Sequence, residues 1–109
     1  MLTREIAIER VKNFTKELIA HGIPLERVVL YGSYARNEQR ENSDIDVALY
    51  SKMFSGYGFA DRKIFAKINV KEEYIDIEAK TFSYENGGNE NPFLEIIEKT
   101  GIEVYRAEN

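Results

Sequence analysis

No cysteine occurs in the 109-residue chain, so neither a disulfide framework nor a thiolate metal site can form. One histidine is too few for a multi-histidine zinc site. A bound metal would therefore be held by oxygen ligands, which is magnesium, manganese or calcium chemistry. Excess positive charge is also missing. The formal net charge is −4, which argues against a surface that neutralises many phosphates, and no direct nucleic-acid partner is expected. No apolar run is long enough to cross a bilayer. The opening M-L-T-R-E-I-A-I-E-R carries acids and lacks the apolar centre of a signal peptide. The expectation is a soluble cytoplasmic protein with no membrane partner. What remains, 43% hydrophobic and 31% charged residues, is an ordinary globular balance with room for one small domain over 1–109.

Hydrophobic spacing divides the chain into seven elements. Ala7, Val11, Phe14 and Leu18 recur at helical steps and predict a helix over 3–21, stopped by His21-Gly22 and Pro24. His21 at that end reads as a favourable C-terminal charge. R-V-V-L-Y at 27–31 is continuously apolar and β-branched, as in a strand buried on both faces. A polar loop follows over 36–43. Residues 44–50 alternate, with Ile45, Val47 and Leu49 on one face and Asp44, Asp46 and Ala48 on the other.

Ala60, Ile64 and Ile68, with Phe65 beside them, predict a second helix over 59–70. Residues 73–79 alternate again, with Ile75, Ile77 and Ala79 set against Tyr74, Asp76 and Glu78. Asn86-Gly87-Gly88-Asn89 reads as a turn, and Asn91-Pro92 as the start of a third helix. That helix would run through Phe93, Leu94, Ile96 and Ile97, packing on the sheet with Phe93, Ile96 and Ile97, and stop near Gly101. A last strand covers 102–105. The order predicts an α+β fold: a small mixed β-sheet with helices packed mainly on one face.

Two of the predicted strands share an anomaly. Aliphatic residues fill one face while acids occupy the other, Asp44 and Asp46 on the first strand, Asp76 and Glu78 on the second. Like charges so close repel, and a divalent cation or proton uptake relieves the repulsion. Mg²⁺ takes a few carboxylates and fills its remaining positions with water and phosphate oxygens. A lone D-x-D is more often a solvated strand face. Here a Gly32-Ser33 turn sits upstream at the exit of a buried strand, where glycine lets a ligand come close and serine offers a hydroxyl and an amide. A helical turn starting at Tyr34-Ala35-Arg36 would add N–H groups suited to phosphate. Arg36 and Arg40 read first as solvated loop arginines, and the tyrosines at 31, 34, 50 and 57 as core or rim packing.

The string G-S-Y-A-R-N-E-Q-R-E-N-S-D-I-D-V, from Gly32 to Val47, resembles the signature of the minimal branch of the DNA polymerase beta-like nucleotidyltransferase superfamily. That resemblance implies a nucleotidyltransferase, polymerase beta palm-like fold. It implies Asp44 and Asp46 as ligands of one or two Mg²⁺ ions, and a third carboxylate that completes the site and helps activate the attacking hydroxyl. Asp76 is preferred for that role and Glu78 is the runner-up. Gly32 and Ser33 would bind the triphosphate, ATP being the expected donor.

One departure is Asn37 where the family has glycine after A-R; asparagine tolerates a left-handed backbone, so the turn is expected to persist. The other is that the added helical domain of larger relatives is not apparent. Minimal members work beside a separately encoded all-helical HEPN protein, in several pairs a toxic ribonuclease that the nucleotidyltransferase neutralises by attaching AMP. The implied role is the antitoxin of such a toxin–antitoxin pair, a magnesium-dependent protein adenylyltransferase. The alternative is a catalytically weak nucleotide-binding module that neutralises a helical partner by contact. A homo-oligomer is compatible with either.

Overall fold

The computed structural model describes residues 2–83 and 92–108. Its elements run α1 (Arg4–Ala20), β1 (Leu25–Tyr31), β2 (Ile45–Ser51), α2 (Gly58–Asn69), β3 (Ile77–Ser83), α3 (Pro92–Thr100) and β4 (Ile102–Arg106). The sheet order is β3-β2-β1-β4. β1 pairs antiparallel with β2 and β4, while β2 and β3 are parallel, so the sheet is mixed as expected.

Thr3 caps α1 by accepting a hydrogen bond from the Ile6 N–H at 3.1 Å. The stripe Ala7, Val11, Phe14 and Leu18 is fully buried. The helix ends at His21, whose Nδ1 lies 2.8 Å from the Glu17 carbonyl oxygen. The first face of the sheet sends Val28, Leu30, Ile45, Val47, Leu49, Ile77 and Ala79 into one core with α1 and Phe65 and Ile68 of α2. The second face carries a smaller cluster of Val29, Tyr31, Ala48, Tyr50, Phe82 and Ile97, the last from α3. Two helices thus cover one face, and β1 is buried on both.

Three expectations are corrected. First, the buried side of α2 is Asp61, Phe65 and Ile68, while Ala60 and Ile64 face outward. Phe65 is the reason. It packs edge-on against Phe14 and Phe54, with ring centroids 6.3 and 5.9 Å apart, and burying that ring outweighs burying an alanine and an isoleucine. Its backbone leaves helical values (φ −124°, ψ 15°), so the helix bends there.

Second, β3 begins at Ile77, four residues later than the alternation suggests, and residues 72–76 form turns. Tyr74 turns inward instead of Ile75, stacking obliquely on Phe14 with centroids 5.3 Å apart. Asn69 Nδ2 holds the turn by donating to the carbonyls of Tyr74 (3.0 Å) and Ile77 (3.2 Å).

Third, on α3 only Ile97 is buried, while Ile96 is exposed. The Asn86-Gly87-Gly88-Asn89 turn, the Asn91 cap and the Phe93 side chain lie outside the described residues. Arg27 fixes α3 and β4 to β1. Its guanidinium pairs with Glu98 and with Glu103 (2.6 Å), and lies 5.5 Å from the Tyr50 ring centroid.

Candidate functional site

The site is built where β1 ends. Gly32 has φ +76°, a left-handed value, and a Cβ there would collide with Oδ2 of Asp46. The glycine is therefore needed twice, for its backbone angle and for the space that Asp46 occupies. Beyond it, residues 33–38 make one closed helical turn. Arg36 N–H donates to the Gly32 carbonyl at 3.2 Å, Asn37 N–H to Tyr34 at 3.2 Å and Glu38 N–H to Ser33 at 2.8 Å. The last two bonds, with Asn37 at φ +58°, form the six-to-one and five-to-two closure of a Schellman motif. Asn37 thus supplies the left-handed residue in place of the family's glycine. The turn stops there; it does not continue as a helix. Tyr34 and Ala35 anchor it in the core, leaving Ser33 half-buried at its start.

Strand register sets the rest. Across the second face of the sheet, Tyr31 of β1 pairs with Asp46 of β2, and Asp46 pairs with Glu78 of β3, so the three side chains form one row. Asp44 and Asp76 precede their strands by one residue each, at the same end of the parallel pair. The Asp76 carbonyl accepts from Ile45 N–H at 2.9 Å. Both of these acids are exposed, and with Tyr34, Glu41 and Ser43 they line an open cavity of about 520 Å³. Asp44 on the cavity and Asp46 in the row lie close enough for their charges to interact.

Electrostatics single out Asp46. Burial pushes its carboxyl above the ordinary range, the charges of Asp44 and Glu78 push it further, and Lys80 and Arg36 pull it partly back. Tyr31 beside it is pushed up by burial and by the charges of Asp46 and Glu78. Its buried hydroxyl has no hydrogen-bond partner among the described residues. Glu78 is held from the other side by Arg62 of α2, Nη2 to Oε1, at 3.0 Å. Arg36 pairs with Glu38 at 3.3 Å, and Arg40 is exposed.

The structure thus brings Gly32, Ser33, Asp44 and Asp46 to one corner. It places Asp76 across the cavity from that corner, and Glu78 next to Asp46 but engaged by Arg62. Among the described residues no three acidic or imidazole side chains converge closely enough to hold a metal as they stand. The donor set, all oxygen, with the like charges of Asp44 and Glu78 acting on Asp46 and only partly offset by Lys80 and Arg36, suits a hard divalent cation.

Two participants were not identified from the sequence. Arg62 gave no signal. The one signal for Asp61 in the sequence is its place as the single acid in a basic helix; buried, it accepts hydrogen bonds from Ser55 N–H (2.9 Å), Ser55 Oγ (2.9 Å), Gly56 N–H (3.0 Å) and Thr81 Oγ1 (2.6 Å). It ties the connection after β2 to β3.

Comparison with known proteins bears on the family and the fold. The family described as "Nucleotidyltransferase domain" matches residues 8–103. A protein of Methanocaldococcus jannaschii named "Putative protein adenylyltransferase" is 57% identical over 30 residues, which is 28% of this chain and 30% of that protein's length. The chain therefore spans less than a third of that curated relative in the match. Among solved structures, one described as "a putative nucleotidyltransferase from Sulfolobus solfataricus" superimposes with a TM-score of 0.70 at 17% identity, over 97% of this chain and 86% of the other. A toxin–antitoxin with AMP-PNP gives 0.60 at 20% identity, over 89% and 74%. A mutant of the toxin–antitoxin MntA-HpeT gives 0.59 at 18%, again over 89% and 74%. At these identities the structural likeness speaks for the fold.

Proposed function

The chain belongs to the nucleotidyltransferase domain family, and from that premise we propose that it transfers AMP from ATP to a hydroxyl of a separate helical protein. The partner in this reading is a toxin of HEPN type, and the chain is its antitoxin. The observation that carries the proposal is the seating of the Asp46 carboxylate against Gly32, with Asp44 beside it. Acidic strand and phosphate-binding turn then address one ligand. The relatives named as a protein adenylyltransferase and as toxin–antitoxin assemblies support the choice of acceptor.

In this mechanism Gly32 gives the triphosphate close access to the backbone, and the Ser33 hydroxyl and amide donate to its oxygens. Asp44 and Asp46, completed by Asp76, would hold one or two Mg²⁺ ions. When bound, these supply charge neutralisation for the triphosphate and the departing pyrophosphate. The acceptor hydroxyl oxygen attacks the α-phosphorus in line, its proton passes to the Asp76 carboxylate, and the bond to the β-phosphate oxygen breaks to release pyrophosphate. Asp76 is preferred over Glu78 because it faces the cavity shared with Asp44, whereas Glu78 is engaged by Arg62.

The test is transfer of label from α-phosphate-labelled ATP to a co-purified helical partner. Asp44→Asn with Asp46→Asn is expected to abolish it while the fold persists; undiminished labelling rejects the proposal. One observation favours a second reading, neutralisation by contact with nucleotide as a regulator: the three carboxylates do not converge among the described residues. Under that reading the same double substitution leaves the partner inhibited.

A further inference from the structure

Exposed large hydrophobic side chains gather on the crossover from β2 to β3. Tyr57, Phe59, Ile64, Val70 and Ile75 are all outward, with Phe59, Val70 and Ile75 at 81%, 66% and 63% exposure. A groove of about 260 Å³ runs between α2 and the edge strand β3, with Arg62, Ala66 and Val70 on one wall and Ile75, Ile77 and Glu78 on the other. The groove is mixed in charge, since Arg62 pairs with Glu78 across it at 3.0 Å, whereas the outer side of α2 is positive. The exposed charges on α2 are Arg62, Lys63 and Lys67, and its single acid, Asp61, is buried. In a chain of net charge −4 this helix presents only positive charge to solvent. Lys63 extends over the Phe59 ring, with Nζ 5.2 Å from the centroid, so its stem adds apolar cover. Because the backbone bends at Phe65, the outward side has two short facets, Phe59 with Lys63 and Ala66 with Val70.

We propose that this outward side of α2, with the groove against β3, is the docking surface for an amphipathic helix of a partner protein whose apolar stripe is flanked by aspartate and glutamate. The apolar residues supply the buried centre, and Lys63 and Lys67 the rim that selects acidic neighbours, Arg62 being paired with Glu78. A second copy of the chain is disfavoured as occupant through this helix, since it would set positive charge against positive charge. The inference rests on the reading that a separate protein receives the nucleotide. The groove suits that reading because its wall includes Glu78, the register neighbour of Asp46, so a helix seated there lies beside the carboxylates.

Two synthetic helices of about four heptads test this by fluorescence anisotropy against the full chain. Both carry leucine at the seam; one is flanked by glutamate and the other by lysine. The glutamate peptide is expected to bind at least about tenfold tighter than the lysine peptide and to weaken with salt. Val70→Asp, or Phe59→Ser should the first variant misfold, is expected to reduce its binding at least about tenfold. Absent binding, equal binding of both peptides, or indifference to these substitutions overturns the proposal. The Asp44→Asn, Asp46→Asn double variant is expected to bind the peptide normally, and Val70→Asp to titrate normally with MgATP. Loss of docking and loss of nucleotide chemistry therefore register separately.

Discussion

At Gly32 two demands fall on one residue, a left-handed backbone and room for the Asp46 carboxylate. Gly32→Ala should therefore cost about 1–2 kcal/mol in backbone strain alone and displace Asp46 as well. The expected outcome is a lower melting temperature together with lost MgATP binding, read by calorimetry. An alanine variant that binds normally would show that the carboxylate is not seated there. Asp46 itself makes a second prediction. Its carboxyl is raised by burial and by Asp44 and Glu78, so the folded state holds that proton more tightly than the unfolded chain. Folding stability from this residue is then present at low pH. It declines as pH rises from the ordinary aspartate value through the raised one. Asp46→Asn should remove the decline and stabilise the apo protein near neutrality, by about 0.5–2 kcal/mol, while removing activity. Denaturant titrations at pH 4 and pH 7 check the sign: the variant's advantage must grow with pH.

Individual elements explain why some of this was legible in the sequence and some was not. α1, β1 and β2 follow their hydrophobic period because each buries a continuous stripe, and the turn at Gly32 followed from its place at the exit of a buried strand. α2 did not, because the choice between two nearly equal apolar stripes was made by one aromatic ring, Phe65, and by a buried acid, Asp61, whose partners lie on other segments. β3 was displaced because the alternation over 73–79 begins before the strand does, and the hydrogen bonds of Asn69 hold residues 73–76 in turns. Hence Asp76 was placed on a strand that starts only after it, and its pairing with the Asp44 cavity rests on the parallel register. Asp61 gives the prediction at this scale. Burial raises its carboxyl, but hydrogen bonds from Thr81, Ser55 and Gly56 outweigh that and hold it below the ordinary value. Its contribution is therefore present above the ordinary aspartate value and lost as pH falls through the lowered one. Asp61→Ala leaves buried donors unmatched and should cost about 2–3 kcal/mol, with the damage localised to residues 51–58 and β3 in hydrogen exchange. Uniform loss of protection would contradict this.

For the molecule as a whole, the mixed sheet turns a sequence motif into a site. The antiparallel β1–β2 pair sets the glycine turn against Asp46, and the parallel β2–β3 pair carries Asp76 and Glu78 to the same end. Among the described residues no helix is long and apolar enough to cross a membrane. α3 covers part of the sheet's second face, so the proposed nucleotide corner lies at the end of that face by Asp46, and the proposed docking surface on the outer side of α2. The proposed transfer requires a divalent ion and a triphosphate in the corner shared by Ser33, Asp44 and Asp46. Paramagnetic broadening by Mn²⁺ in the presence of ATP reads this directly from the backbone amides. Broadening should centre on residues 32–34, 44–46 and 76–78, and vanish in the Asp44→Asn, Asp46→Asn variant. Broadening centred elsewhere, or unchanged in that variant, would contradict it.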